Sequence, residues 1–172
     1  MNRLVSIFAL FAIAFGASCA PALKEHPFTF KKSGKLEKAA PSSYWGRIAF
    51  PWRVLELYRH TDDHRAIIMI SGKAVKSEFN TLLAGKNFVA DSVRQMIPEA
   101  YDISTKVIEH RNRRFLVVKF KLNYERVEYE YWDTITQENK DQYHFMASFP
   151  VGTPESKVRD LMSILETLEM KP

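Results

Sequence analysis

The sequence predicts an α+β domain in which helices pack on the faces of an antiparallel sheet. Three observations predict it. Between Phe115 and Phe149, apolar and polar residues alternate with period two through runs separated by short polar turns, the pattern of an antiparallel meander. Two other segments carry apolar residues at helical spacing instead, one before this meander and one at the C-terminal end. The resulting order is hairpin, helix, three-stranded meander, helix.

The chain starts with a segment that reads as targeting rather than fold. Arg3 precedes the apolar run Leu4–Phe15, the charged and hydrophobic parts of a secretory signal. A membrane-spanning helix needs roughly 20 apolar residues, so this run is too short to span comfortably. Small residues follow at Gly16-Ala17-Ser18, directly before Cys19, the only cysteine of the 172 residues. Two kinds of cleavage fit. Ordinary signal cleavage is possible after Ala20, although Pro21 is a poor residue on the product side of a scissile bond, or after Ala22. Alternatively, Gly16-Ala17-Ser18-Cys19 resembles the lipobox of bacterial lipoproteins, with glycine where that family usually has leucine. The resemblance implies that residues 1–18 are a signal peptide and that Cys19 is acylated. Because Ala20 rather than aspartate follows the cysteine, it also implies the outer membrane where the organism has one.

Residues 19–43 hold no periodicity. Lys31, Lys32, Lys35 and Lys38 alternate with Ser, Gly, Ala and Pro, so the segment is expected to be a flexible basic linker. A short strand around Phe28 and Phe30 is the alternative. The folded domain is expected over residues 44–172. With 46% hydrophobic and 26% charged residues the composition is ordinary for a globular domain. Apart from Cys19 there is no thiol, so the domain relies on its apolar core and has no cysteine-based metal site. The formal charge of +5 drops only to +4 when residues 1–18, with their single Arg3, are removed. Export argues against a nucleic-acid partner, and the mild positive excess fits solubility, an anionic membrane surface or an acidic protein.

Within the domain, Arg47–Tyr58 is rich in strand formers, with Pro51 at a strand boundary, bulge or edge. His60–His64 reads as a polar turn, and Ala66–Ser71 as a strand buried on both faces. A helix is expected within Ser77–Ile97, weakened at Gly85 and ended by Pro98; Leu82, Val89, Val93 and Met96 form its stripe. Ile103–Glu109 is a further strand, and His110–Arg114 a hairpin turn with Asn112 at positive φ. Phe115–Leu122 and Val127–Ile135 flank a turn at residues 123–126. Pairing Leu122 with Val127 sets Phe120 against Tyr129, Val118 against Tyr131, Lys121 against Glu128 and Lys119 against Glu130. Tyr143, Phe145, Ala147 and Phe149 are expected to continue the aromatic face, with Trp132 and Met146 opposite. Alternation turns Asp133 toward the apolar face, which a bulge, a sheet end or a paired buried acid would explain. The last helix takes Thr153 as N-cap, Pro154 at its first position, and Val158, Leu161, Met162, Leu165 and Leu168 as its stripe.

This order resembles the Mog1/PsbP-like fold. Phe50-Pro51-Trp52-Arg53-Val54 is similar to the family's early Pro-Trp-strand segment, and Gly152-Thr153-Pro154 to its closing element. The resemblance covers about Tyr44 to the C-terminus and implies a binding or assembly role rather than catalysis.

Three constellations could carry chemistry. His60-Thr61-Asp62-Asp63-His64 offers imidazoles and carboxylates for zinc or copper, but on a turn that does not align them. His110-Arg111-Asn112-Arg113-Arg114 could grip phosphates or an acidic partner. Tyr124, Tyr129, Tyr131, Trp132, Tyr143 and Phe145 could line a groove, or simply pack across strands. There is no nucleophile elbow, HExxH or phosphate-binding glycine loop. We therefore assign no catalytic, cofactor-binding or metal residue, and Cys19 as the lipidation site. The expected protein is an exported, lipid-anchored envelope module meeting the membrane and another envelope protein. The alternative is a soluble periplasmic carrier of a small ligand or metal.

Overall fold

The computed structural model describes residues 25–40, 53–75 and 79–171. Among them the order is β1 (Phe28–Thr29), β2 (Leu36–Lys38), β3 (Arg53–His60), β4 (Asp63–Ala74), α1 (Phe79–Ala84), α2 (Lys86–Met96), β5 (Tyr101–His110), β6 (Arg113–Tyr124), β7 (Val127–Glu138), β8 (Asp141–Pro150), α3 (Glu155–Glu166) and β9 (Glu169–Met170). The signal peptide, Cys19, the expected start near Tyr44 and the Phe50–Trp52 part of the early motif lie outside the described residues.

Seven strands form one antiparallel sheet in the order β2-β3-β4-β8-β7-β6-β5, and β1 pairs with β9 in a separate ribbon. Each face has its own core. On one, Met69, Leu116, Val118, Phe120, Tyr131 and Ile135 pack with Leu82, Val89 and Val93 of the first two helices. On the other, Ile68, Ile70, Phe145 and Ala147 pack with Leu161, Ile164 and Leu168, and with Phe28 and Leu36 from the N-terminal segment. The expected α+β sandwich is thus what the chain forms. β4 is interior and contributes to both cores, as its continuous apolar run requires.

Several expectations need correction. The single early helix is two, divided at Gly85, where glycine costs most in a helix interior. The linker expected over 19–43 is folded over 25–40: Phe28 and Leu36 are each 1% exposed, anchored in the second core. The β6–β7 register is offset by two residues from the one expected. Tyr124 pairs with Val127, Leu122 with Tyr129, Phe120 with Tyr131, Lys121 with Glu130 and Lys119 with Trp132. The turn is two residues rather than four, because Glu125 and Arg126 adopt positive φ of 48° and 68°, the geometry of a tight type I′ hairpin. A two-residue slip preserves which face each side chain takes, so the alternation survives it.

The aromatic face does not continue into β8. Tyr131 lies opposite Ser148 and Trp132 opposite Ala147. Tyr143, Phe145 and Phe149 therefore share the second core with Trp132, while Met146 sides with Tyr131. At α3, the Thr153 hydroxyl donates back to the Pro150 carbonyl at 2.6 Å instead of capping the helix, and Pro154 takes the N-cap place. The turn Pro150–Thr153 closes through Thr153 N–H on Pro150 O at 3.0 Å, with Gly152 at φ +84°, which a type II turn demands.

Candidate functional site

α3 carries more apolar residues than one core-facing stripe can use. Leu161 and Ile164 are fully buried under it. Val158, Met162 and Leu165, spaced i, i+4, i+7, form a second ridge that is only partly buried. The helix packs over β3, β4 and β8, on one side of the sheet centre. On the same face, the β5–β7 half is left beside that second ridge.

The space between them is a groove of about 430 Å³. Ile108, Phe115, Val117 and Trp132 form its sheet side, and the Val158-Met162-Leu165 ridge its helix side. At one end His110 Nε2 bridges sheet and helix, donating to the Glu166 carbonyl at 3.2 Å. Toward the start of α3 the lining becomes charged, with Lys106 and Lys119 on the sheet and Glu155 and Arg159 on the helix.

Trp132 organises the sheet side. Its indole N–H donates to Glu130 at 2.6 Å, its edge meets Phe149 with centroids 5.5 Å apart, and the Lys119 ammonium sits 3.2 Å from the ring centroid. That cation–π contact is favourable where the cation has lost water. Burial, assisted by the neighbouring Lys106, holds the Lys119 amine below the usual lysine range, although Glu130 pulls the other way. Among the described residues, Lys106, Lys119 and Arg159 each lack an ion-pair partner within 4 Å.

The His60–His64 cluster does not assemble. His60 is 1% exposed; its Nε2 donates to Asp160 at 3.2 Å and its Nδ1 accepts the Asp62 N–H at 3.1 Å, so neither nitrogen keeps a lone pair for a metal. His64 is exposed and lies 3.8 Å from Glu37. Asp62 pairs with Lys35 and Asp63 with Arg65. Among the described residues no group of three metal-ligating side chains converges. Ser33, Asp160 and His60 are brought together, but the carboxylate stands in the middle: the Ser33 hydroxyl donates to Asp160, not to the imidazole. A nucleophile–base pair would need the serine on the histidine. The trio instead ties the N-terminal segment to α3, and the Ser33 hydrogen bond is the main cause holding Asp160 below the usual carboxylate range.

The basic hairpin tip is spent internally. Arg111 and Asn112 take positive φ of 51° and 60°. Arg111 pairs with Glu169, Arg113 with Glu138 at 2.7 Å, and Arg114 donates to Asn80. The aromatic set divides between faces, and only Trp132 of it lines the groove. Asp133 is the paired buried acid among the explanations open to it: it is 0% exposed and hydrogen-bonds His144 Nδ1 at 2.7 Å. Sequence reasoning missed Lys106, Lys119, Arg159 and the groove itself. The available signal was the width of the α3 stripe, which Ile164 broadens beyond a single face.

No known family's sequence profile matches the chain, and no curated protein sequence matches it significantly. Solved structures do share its fold. Cyanobacterial PsbP (CyanoP) from Synechocystis sp. PCC 6803 superposes with a TM-score of 0.58 at 9% identity, covering 90% of this chain and 95% of that one. LpqN of Mycobacterium tuberculosis, described as involved in cell envelope biogenesis, gives 0.58 at 8% identity over 91% and 87%. A Bacteroides thetaiotaomicron protein gives 0.57 at 12% identity; 85% of this chain is covered, but only 46% of that one. The fold is PsbP-like.

Proposed function

We propose that this chain is an exported, lipid-anchored cell-envelope protein acting as a non-catalytic binding or assembly module, with the groove beside α3 as its binding site. The groove carries the reading. Its walls are an apolar ridge and an apolar sheet surface, its polar groups are mainly charged side chains without close partners, and its one imidazole is bonded to a main-chain carbonyl. Such a site holds something and offers no activated nucleophile. The likeness in fold to LpqN supports an envelope setting, and the Gly16–Cys19 segment supports the anchor. With Ala20 after the cysteine, the anchor is at the outer membrane facing the periplasm, and the partner is another envelope protein. Several acyl chains at roughly 0.8 kcal/mol per buried CH₂ make such a tether effectively permanent.

The test is membrane fractionation with metabolic acyl labelling of the full chain and of Cys19→Ser. The wild type should label and sediment with membranes; the variant should do neither. Equal fractionation and labelling of the two would sink the anchor. The second reading, a soluble periplasmic small-ligand carrier, is favoured by the groove's volume, and a freely soluble, unlabelled wild type would select it. Its metal-binding form lacks support at His60, whose two nitrogens are occupied.

A further inference from the structure

We propose that the groove holds an acyl-chain anion, with its tail along the Val158-Met162-Leu165 ridge and its acidic head, a carboxylate or a phosphate, between Lys106 and Lys119. This deepens the reading of the groove as the binding site. The first support is its form. A cavity of about 430 Å³ lies in the range of small-molecule sites, and its walls are aliphatic and aromatic along Ile108, Phe115, Val117, Trp132 and the Val158-Met162-Leu165 ridge before they become charged toward the start of α3. At the His110–Glu166 end a hydrogen bond bridges sheet and helix, which suits the end of a chain rather than a polypeptide passing through.

The second support is charge. In the β5–β6 register Ser104 pairs with Lys119 and Lys106 with Val117, which makes the two lysines diagonal neighbours on one face. Like charges so placed repel unless an anion stands between them. Lys119 has given up water for the face of Trp132, without an ion pair among the described residues. An acidic head would supply both ammoniums with the partner they lack, in a partly dewatered site where charge-assisted hydrogen bonds are strongest. The start of α3 lies at this end of the groove, so its dipole acts in the same sense. Glu155, on the helix at that end, opposes it. Arg159 sits one turn further on.

The test is calorimetric titration of the purified full chain with four probes: dodecanoate, dodecyl phosphate, dodecylammonium and acetate. The first two should bind saturably at one site per chain, and the last two at least about tenfold more weakly. The ratio between the first two tells a free acyl carboxylate from a lipid-type phosphate head, and either preference supports the site. Lys106→Gln with Lys119→Gln should weaken dodecanoate about tenfold or more, while Glu155→Gln should tighten it. Lys38→Gln, remote from the groove, is the control and should change nothing. These are surface or rim positions, so circular dichroism should show intact folding. Dodecylammonium binding as tightly as dodecanoate, or lysine variants with wild-type affinity, would overturn the proposal. Loss of the anchor in the Cys19 experiment would leave this result standing, so the two readings fail separately.

Discussion

The α3-side face of the sheet has two halves, built by the same alternation but finished differently. Over β3, β4 and β8 the face carries Ile68, Ile70, Phe145 and Ala147, all at most 1% exposed beneath α3 and the N-terminal segment. Over β5, β6 and β7 Phe115 and Val117 are still buried, at 3% and 6% exposed, but Ile108, Lys119 and Trp132 beside them are only half-buried and Lys106 is exposed. The covered half keeps charge only at its margin, where each carboxylate is met by partners, Glu56 by His26 and Lys38 and Asp160 by His60 and Ser33, because a buried charge without partners is costly. The open half admits two lysines and an indole because water or a ligand can reach them. The residues on a sheet face thus record what covers it, and α3 sits at the border with one apolar ridge on each side.

That border gives the largest expected effect. Leu161 and Met162 are adjacent, the first 0% exposed in the covered core and the second facing the groove. Leu161→Ala should cost about 2–5 kcal/mol in urea unfolding, as buried leucine truncations do. Met162→Ala should cost about 1 kcal/mol or less, since its site already meets solvent. Similar losses at the two positions would erase the distinction between the halves.

The opposite face offers an intermediate test. Asp133 lies in the helix-covered core yet is charged by type, tolerated because His144 meets it. Asp133→Ala should destabilise by about 1–3 kcal/mol in the same assay, the cost of leaving a buried hydrogen-bonding partner without its mate. Asp133→Asn should recover much of it by restoring a hydrogen-bonding group of the same shape. A neutral Asp133→Ala would show that buried polarity is cheap here, and the contrast between the halves would lose its cause.

How far the sequence led depends on which physics wrote each element. Period-two alternation placed the faces of β6 and the even–odd sense of β7, because facing residues answer to burial. The register escaped it, since a two-residue slip leaves every face unchanged and the turn is Glu125-Arg126 rather than a glycine- or asparagine-marked pair. The relation of β7 to β8 was misjudged for a related reason: both strands are apolar on both faces near Trp132 and Phe145, and alternation cannot choose where both sides are buried. The strand at Phe28 was open as the alternative to a linker, but Leu36 escaped notice in a lysine-rich stretch because two anchors suffice to seat a short segment on a core made elsewhere. The groove was least legible of all. Lys106, Lys119, Trp132 and Val158 meet only through the sheet order and the placement of α3, neither of which is a local property of the chain.

The smallest effect concerns what covers the covered half. Its N-terminal lid is held by Phe28 and Leu36, by His26 packed near Glu56 at 3.6 Å, and by Ser33 on Asp160. Burial pushes His26 below the ordinary imidazole range, with Lys171 adding to it and Glu56 opposing; Asp160 is likewise held low. A group whose folded pKa is lowered contributes stability that is present above its unfolded pKa and lost as pH falls through the folded one. The loss should therefore begin below about pH 6.5 through His26 and resume below about pH 4 through Asp160. Amide hydrogen exchange, corrected for its intrinsic pH dependence, should show protection of residues 28–38 declining from pH 7 to pH 5 while β4 and β8 hold theirs. His26→Gln should remove that first decline and leave the second. Protection of the lid that stays flat between pH 7 and pH 5 would mean that His26 carries no part of the closure, and that the covered half is sealed by Phe28 and Leu36 alone.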